Sequence, residues 1–230
     1  MGVRHPTFVY NVGMRKVPFI VGEHFHIFNR GVDKRNIFSD KYDAFRFFQS
    51  LEEFNSIEAG NDIFLVNKSK KVNCQTPNPQ GKKLVNIICY CLNPNHFHLI
   101  LEELAEGGIS EFMKRLGGGY SRYFNEKNKR SGALFQGKFK AVHIESNEQL
   151  LHTSAYVNLN NKVHKKFDGT RKHFLDLIPN RSSWNEYIQK DNKFNICEKG
   201  IILEQFKNQN DYQKFAEETI RDINEKRYEG

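Results

Sequence analysis

NPNHFHLILEE, Asn93 to Glu103, is an Asn-Pro-Asn turn followed by a run that opens on two histidines and continues as apolar sequence. Upstream, LVNIICYCL, Leu84 to Leu92, is apolar enough for a strand buried on both faces. The two runs therefore read as strands joined by a tight turn, the second of them a central strand. Alternate strand residues share a face, so His96 and His98 present two imidazoles to one place. A near copy, EHFHIFNRG from Glu23 to Gly31, does the same with His24 and His26. Taken alone, either pair is as readily two core histidines as two metal ligands.

Working outward, Phe19 to Asn29 alternates as a first strand, and Arg30 to Lys34 forms a Gly-containing basic turn. Ser39 or Asp40 caps a helix whose Ala44, Phe47, Phe48, Leu51 and Phe54 form a buried stripe. The segment Ala59 to Lys83 reads as an exposed basic loop or hairpin, with DIFLV as a short strand. ISEFMKRL starts a second helix with Ile109, Phe112, Met113 and Leu116 on one side. Gly117, Gly118 and Gly119 interrupt it, each at about 1 kcal/mol relative to Ala, so a break or kink is expected there. ALFQGKFKAVHI leads into a further strand, and Ser146 with Gln149 forms a capping box for NEQLLHTSAYVNLNNKV. A charged helix from about Asp211 to Arg227 closes the chain as part of a mainly helical extension.

The 230 residues carry 35 Lys plus Arg against 27 Asp plus Glu, a net charge of +8, which favours a polyanionic partner and nucleic acid first. No apolar run is long enough to span a bilayer and the first 18 residues lack a signal-peptide core, so the reading is a cytoplasmic protein with no membrane partner. Cys74, Cys89, Cys91 and Cys197 have no CxxC spacing and read as reduced, two of them in the core.

On the helix after Ser146, His152, Tyr156 and Asn160 are spaced by four and are expected on one face. Two imidazoles and the Asn160 amide oxygen would hold a divalent ion with open positions for a phosphate, and the Tyr156 hydroxyl is a candidate nucleophile. For Tyr156 the plain alternative is an aromatic ring packed in the core.

NPNHFHLILEE, then GALFQGKFKA, then AYVNLNN resemble, in order, the motifs of the single-tyrosine HUH transposases, especially the REP-associated tyrosine transposases. The family's two histidines around a bulky apolar residue are matched by His96, Phe97 and His98, and its Tyr-x-x-x-Asn pattern by Tyr156 and Asn160. FHIFNRGVDKRNIF resembles its first strand and Arg-Gly turn, which assigns His24 and His26 to a structural or DNA-contacting strand. Asn161 stands where a proline is common, and the Gly triplet where the run is usually more helical.

The resemblance implies an α+β, ferredoxin-like HUH domain over residues 1–166, with a central antiparallel sheet and helices covering one face. Residues 167–230 would be an accessory extension. It implies cleavage and rejoining of single-stranded or hairpin DNA by a homodimer, through a 5′-phosphotyrosine. His96, His98 and Asn160 would hold Mg²⁺ or Mn²⁺, and Tyr156 would attack the phosphorus. Arg30, Lys34, Arg35, Lys138 and Lys140 are the expected phosphate contacts. A histidine-triad hydrolase is disfavoured because position 100 is Ile. A replication initiator or relaxase, and a non-catalytic nucleic-acid-binding protein on the same fold, remain as rivals.

Overall fold

The computed structural model describes residues 18–57, 81–163, 174–178, 180–189 and 195–228. Most of the Ala59 to Lys83 segment, with its DIFLV strand, and Cys74 lie outside them. The strands are β1 (His24–Arg30), β2 (Val85–Asn93), β3 (His96–Glu103) and β4 (Lys140–His143). The helices are α1 (Lys41–Glu53), α2 (Gly108–Lys127), α3 (Asn147–Asn158), α4 (Asn160–Val163), α5 (Trp184–Ile188), α6 (Gly200–Leu203) and α7 (Gln209–Tyr228). Up to β4 the order is β-α-β-β-α-β, and the antiparallel sheet runs β2-β3-β1-β4, the ferredoxin-like arrangement expected from the sequence.

The period-2 pattern of β3 divides the sheet into two different faces. Phe97 and Leu99 point to one side with Phe25, Ile27 and Tyr90, where Phe47 and Phe48 of α1 meet Phe97 and Tyr90 at ring separations of 5.1 and 5.5 Å. His96 and His98 point to the other, where Tyr156 of α3 stands. Helices therefore cover both faces, not the one expected: α1 and α2 enclose the aromatic core, and α3 closes over the histidines. The alternation leaves the histidine face apolar enough to bury a helix, since Cys89, Cys91 and Ile100 lie on it as well.

The caps follow the sequence. Asp40 accepts from the backbone N–H of Tyr42 and Asp43, and Asp43 returns a carboxylate to Asp40, a complete capping box. Ser146 caps α3 by accepting from Gln149 N–H, while the Gln149 side chain reaches Glu145 instead of Ser146. The buried Glu103 carboxylate ends β3 and accepts from Gly107 and Ile109 N–H, which starts α2.

The expected break in α2 is absent: the helix runs through Gly117, Gly118 and Gly119. Packing explains the last of these, because a Cβ on Gly119 would stand 2.4 Å from Cζ of Phe54, at the end of α1. The burial of Phe112, Met113, Leu116, Tyr120 and Phe124 outweighs the glycine cost. A Cβ on Gly118 meets nothing within 4 Å. Gly118→Ala is therefore expected to stabilise the fold by about 0.5–1 kcal/mol. Gly119→Ala should instead lower stability by about 1–3 kcal/mol through overpacking. Equal shifts of the urea midpoint in the two variants would refute this account.

The C-terminal part packs on the sheet and on α3. Leu92 N–H donates to the Arg181 carbonyl and Ser183 N–H to that of Tyr90, so residues 181–183 lie along the outer edge of β2. Tyr212 of α7 is fully buried and its hydroxyl contacts Ser154 and Asn158 of α3 at 3.1 and 2.8 Å. Cys89, Cys91 and Cys197 are free thiols buried in this core. Among the described residues no helix is long and apolar enough to cross a membrane.

Candidate active site at the β2–β3 turn

The tight turn fixes His96 directly after Asn93, and antiparallel pairing sets Asn93 opposite His96 and Cys91 opposite His98. On the other side of β3, Arg30 stands opposite His96 and Phe28 opposite His98. The imidazoles of His96 and His98 meet edge to face, 5.1 Å between centroids.

Each histidine has its Nδ1 occupied. His96 Nδ1 lies 2.6 Å from Asn95 Oδ1, and Asn95 is oriented in turn by donating from Nδ2 to the Lys34 carbonyl at 3.1 Å. His98 Nδ1 lies 2.9 Å from Nε2 of His26, and those rings stack at 5.1 Å. Ligation by either histidine therefore falls to Nε2, and a partner holding the opposite nitrogen is what a metal-binding histidine needs for a fixed orientation. Burial drives the His26 pKa down to about 3, so this partner is a neutral imidazole.

Tyr156 stands edge-on to both stacked imidazoles, its ring centroid 5.7 Å from His98 and 6.1 Å from His26. Asn160, fully buried at the start of α4, accepts at Oδ1 from Asn93 Nδ2 at 2.8 Å. The same Asn93 nitrogen lies 3.1 Å from His96 Nε2. His96 Nε2 of the strand and Asn160 Oδ1 of the helix end thus share one neighbour, the Asn93 amide nitrogen. The donor set fits a divalent cation: two imidazoles and one amide oxygen, with no thiolate. Cys91 is close by, but burial pushes its thiol up to about 11 and keeps it protonated. Among the described residues no three His, Cys, Asp or Glu side chains gather as a metal site, so the set depends on the Asn160 amide.

His152 does not share this site. It packs against Phe215 of α7, 5.1 Å between rings, with Nδ1 3.4 Å from Thr219 Oγ1.

Three of the basic residues, Arg30, Lys34 and Arg35, belong to a segment that meets the same turn. Gly31 N–H donates to the Asn95 carbonyl, and Ile37 N–H to that of Pro94, so the Arg30 to Arg35 turn rests on the histidine turn. Gly31 is required there, since a Cβ would meet the Arg35 carbonyl oxygen at 2.2 Å. Arg30, Lys34 and Lys138 are exposed, and Lys140 is half-buried on β4 beside Phe28. Arg30 donates from Nε to Gln136, and Arg35 lies 3.6 Å from Asp33.

Sequence reading missed three residues that contact the candidate site: His26 as the partner of His98, Asn93 and Asn95. The asparagines were within reach, because pairing across a tight turn sets Asn93 opposite His96. His26 depends on the β1–β3 register, which neither strand encodes by itself.

No curated protein matches the chain. A solved structure described as that of the REP-associated tyrosine transposase bound to a REP hairpin is similar at a TM-score of 0.43 and 15% identity, covering 81% of this chain and 94% of that one. Over residues 67–160, which hold the His96–His98 pair, β4, Tyr156 and Asn160, the chain is similar to the family described as transposase IS200 like.

Proposed function

We propose that the protein cleaves and rejoins single-stranded hairpin DNA through a covalent bond to Tyr156. The observation that carries the reading is the convergence of Tyr156, His98, His96 and Asn160, drawn from β3, α3 and the start of α4, beside a basic turn. In this reading Arg30, Lys34 and Arg35, with Lys138 and Lys140, hold the backbone phosphates flanking the scissile one.

The Tyr156 oxygen attacks phosphorus and forms the new P–O bond as the bond to the 3′-oxygen breaks. The hydroxyl proton is passed on, and the leaving oxygen ends as a free 3′-OH. Attack of a 3′-OH on the phosphotyrosine reverses these bonds, so joining consumes no nucleotide. His96, His98 and Asn160 would hold Mg²⁺ or Mn²⁺, which supplies charge neutralisation at the phosphate oxygens when bound. Tyr156 faces the histidines of its own chain, which supports attack in cis within the homodimer of this reading.

Incubation of the protein with labelled hairpin DNA and Mn²⁺ is expected to give a denaturation-resistant adduct that EDTA prevents. Hairpin binding without any adduct would overturn catalysis and leave a non-catalytic hairpin-binding protein.

A further inference from the structure

We propose that Arg181, from the C-terminal segment, is a positioning residue that, through Asn93, fixes how Asn160 faces the candidate metal position. The inference rests on the metal-binding part of the reading above. Arg181 is only 8% exposed. It donates from Nη2 to Asn93 Oδ1 at 3.1 Å and from Nε to the Leu92 carbonyl at 3.3 Å. A guanidinium has only donors, so it decides which end of the Asn93 amide faces it: the oxygen.

The rest follows by donor and acceptor accounting. With its oxygen on Arg181, Asn93 presents its NH₂ group to Asn160 and to His96. Asn160 must answer with Oδ1, because the opposite amide orientation would set NH₂ against NH₂. Its own Nδ2 finds no hydrogen-bond partner among the described residues, so nothing else on the side chain selects this orientation. His96 must accept at Nε2, so its proton sits on Nδ1, as Asn95 Oδ1 also requires. Both are the ligating forms: an amide oxygen and an imidazole with its lone pair on Nε2. Asn160 Oδ1 has a second lone pair and can keep Asn93 while ligating, whereas His96 Nε2 has one and must release it.

The same segment holds the helix end from behind. Ser183, two residues on from Arg181, donates to Asn158 Oδ1, and Asn158 lies midway between Tyr156 and Asn160 in sequence. The stretch that matches the transposase family ends at residue 160, so Arg181 lies outside it.

The test uses the full-length ¹⁵N-labelled protein. In metal-free wild type, the imidazole nitrogens of His96, assigned by their loss in His96→Asn, are expected to show the Nδ1–H tautomer. In Arg181→Met, folded by circular dichroism, Mn²⁺ affinity measured by electron paramagnetic resonance is expected to fall about 10–100-fold, while His96 keeps the Nδ1–H tautomer because Asn95 still holds it. Arg181→Lys, which keeps a cation but not the fork, should recover part of that loss. Hairpin DNA binding should be retained in both. An Nε2–H tautomer in wild type overturns the inference, as does a folded Arg181→Met with unchanged Mn²⁺ affinity. If Arg181→Met does not fold, Arg181→Lys decides, and unchanged Mn²⁺ affinity in it overturns the inference. Wild type with the expected tautomer and Mn²⁺ affinity but no DNA adduct overturns the strand-cleavage reading and leaves the positioning role intact.

Discussion

Tyr156→Phe is expected to form no covalent adduct with hairpin DNA, a loss on the order of 10³-fold or more, while binding the hairpin as wild type does. The substitution removes one oxygen and keeps the ring that packs edge-on to His26 and His98, so the fold has little reason to change. The two other tyrosines near the middle of the chain offer no substitute. Tyr120 donates its hydroxyl to the Ile37 carbonyl at 2.5 Å, and Tyr123 donates to Asp43 at 3.1 Å, both in the layer of α1 and α2 across the sheet from His98. Burial and the Asp43 carboxylate push Tyr123 up to about 12, further from an oxyanion at neutral pH. Adduct formation by Tyr156→Phe would therefore remove the whole arrangement as an active site, since no other described tyrosine ring contacts the histidines. Gel mobility of the denatured, labelled complex reads the result directly.

Local chemistry explains which parts of the molecule could be read from the sequence. Caps, the buried stripe of α1, the strands β2 and β3 and the turn between them are set by residues within one element, and the period of the apolar pattern identifies each. Strand alternation put His96 and His98 on one face but did the same for His24 and His26, and only the resemblance to a family separated the two pairs. The kink expected in α2 failed because glycine cost was weighed without its packing partner: Phe54, far off in sequence, occupies the space that Gly119 leaves. His152 failed for a related reason. Spacing by four places it with Tyr156 only if the helix has one neighbour, but α3 lies between the sheet and α7, and α7 claims His152. Arg181 had no local signal, since its meaning comes from the edge pairing of residues 181–183 with β2.

His26 makes the fold sensitive to acid in a way that its removal should erase. Its imidazole is 2% exposed, paired with and stacked on His98, with the Phe28 ring 5.2 Å away. Burial disfavours the charged form and lowers its pKa from 6.5 to about 3. The unfolded chain, where the group keeps its ordinary pKa, then binds one more proton than the folded chain between those two values. Stability from this group is complete above about pH 6.5 and falls as pH drops toward 3. The slope approaches about 1.4 kcal/mol per pH unit, and the total is at most on the order of 4–5 kcal/mol. That is comparable with the whole stability of many domains, so acid unfolding of the metal-free protein should begin well above the carboxylate range. Urea melts in EDTA at a series of pH values test this, with His26→Gln, which keeps an acceptor for His98, expected to lose about one proton from the slope. Identical slopes in the two proteins would count against His26 as the source. A direct check needs no variant: in folded wild type the His26 ring resonances should stay in the neutral position down to about pH 4.5, and a shift to the charged position above pH 5 would show that the stacked pair tolerates a proton.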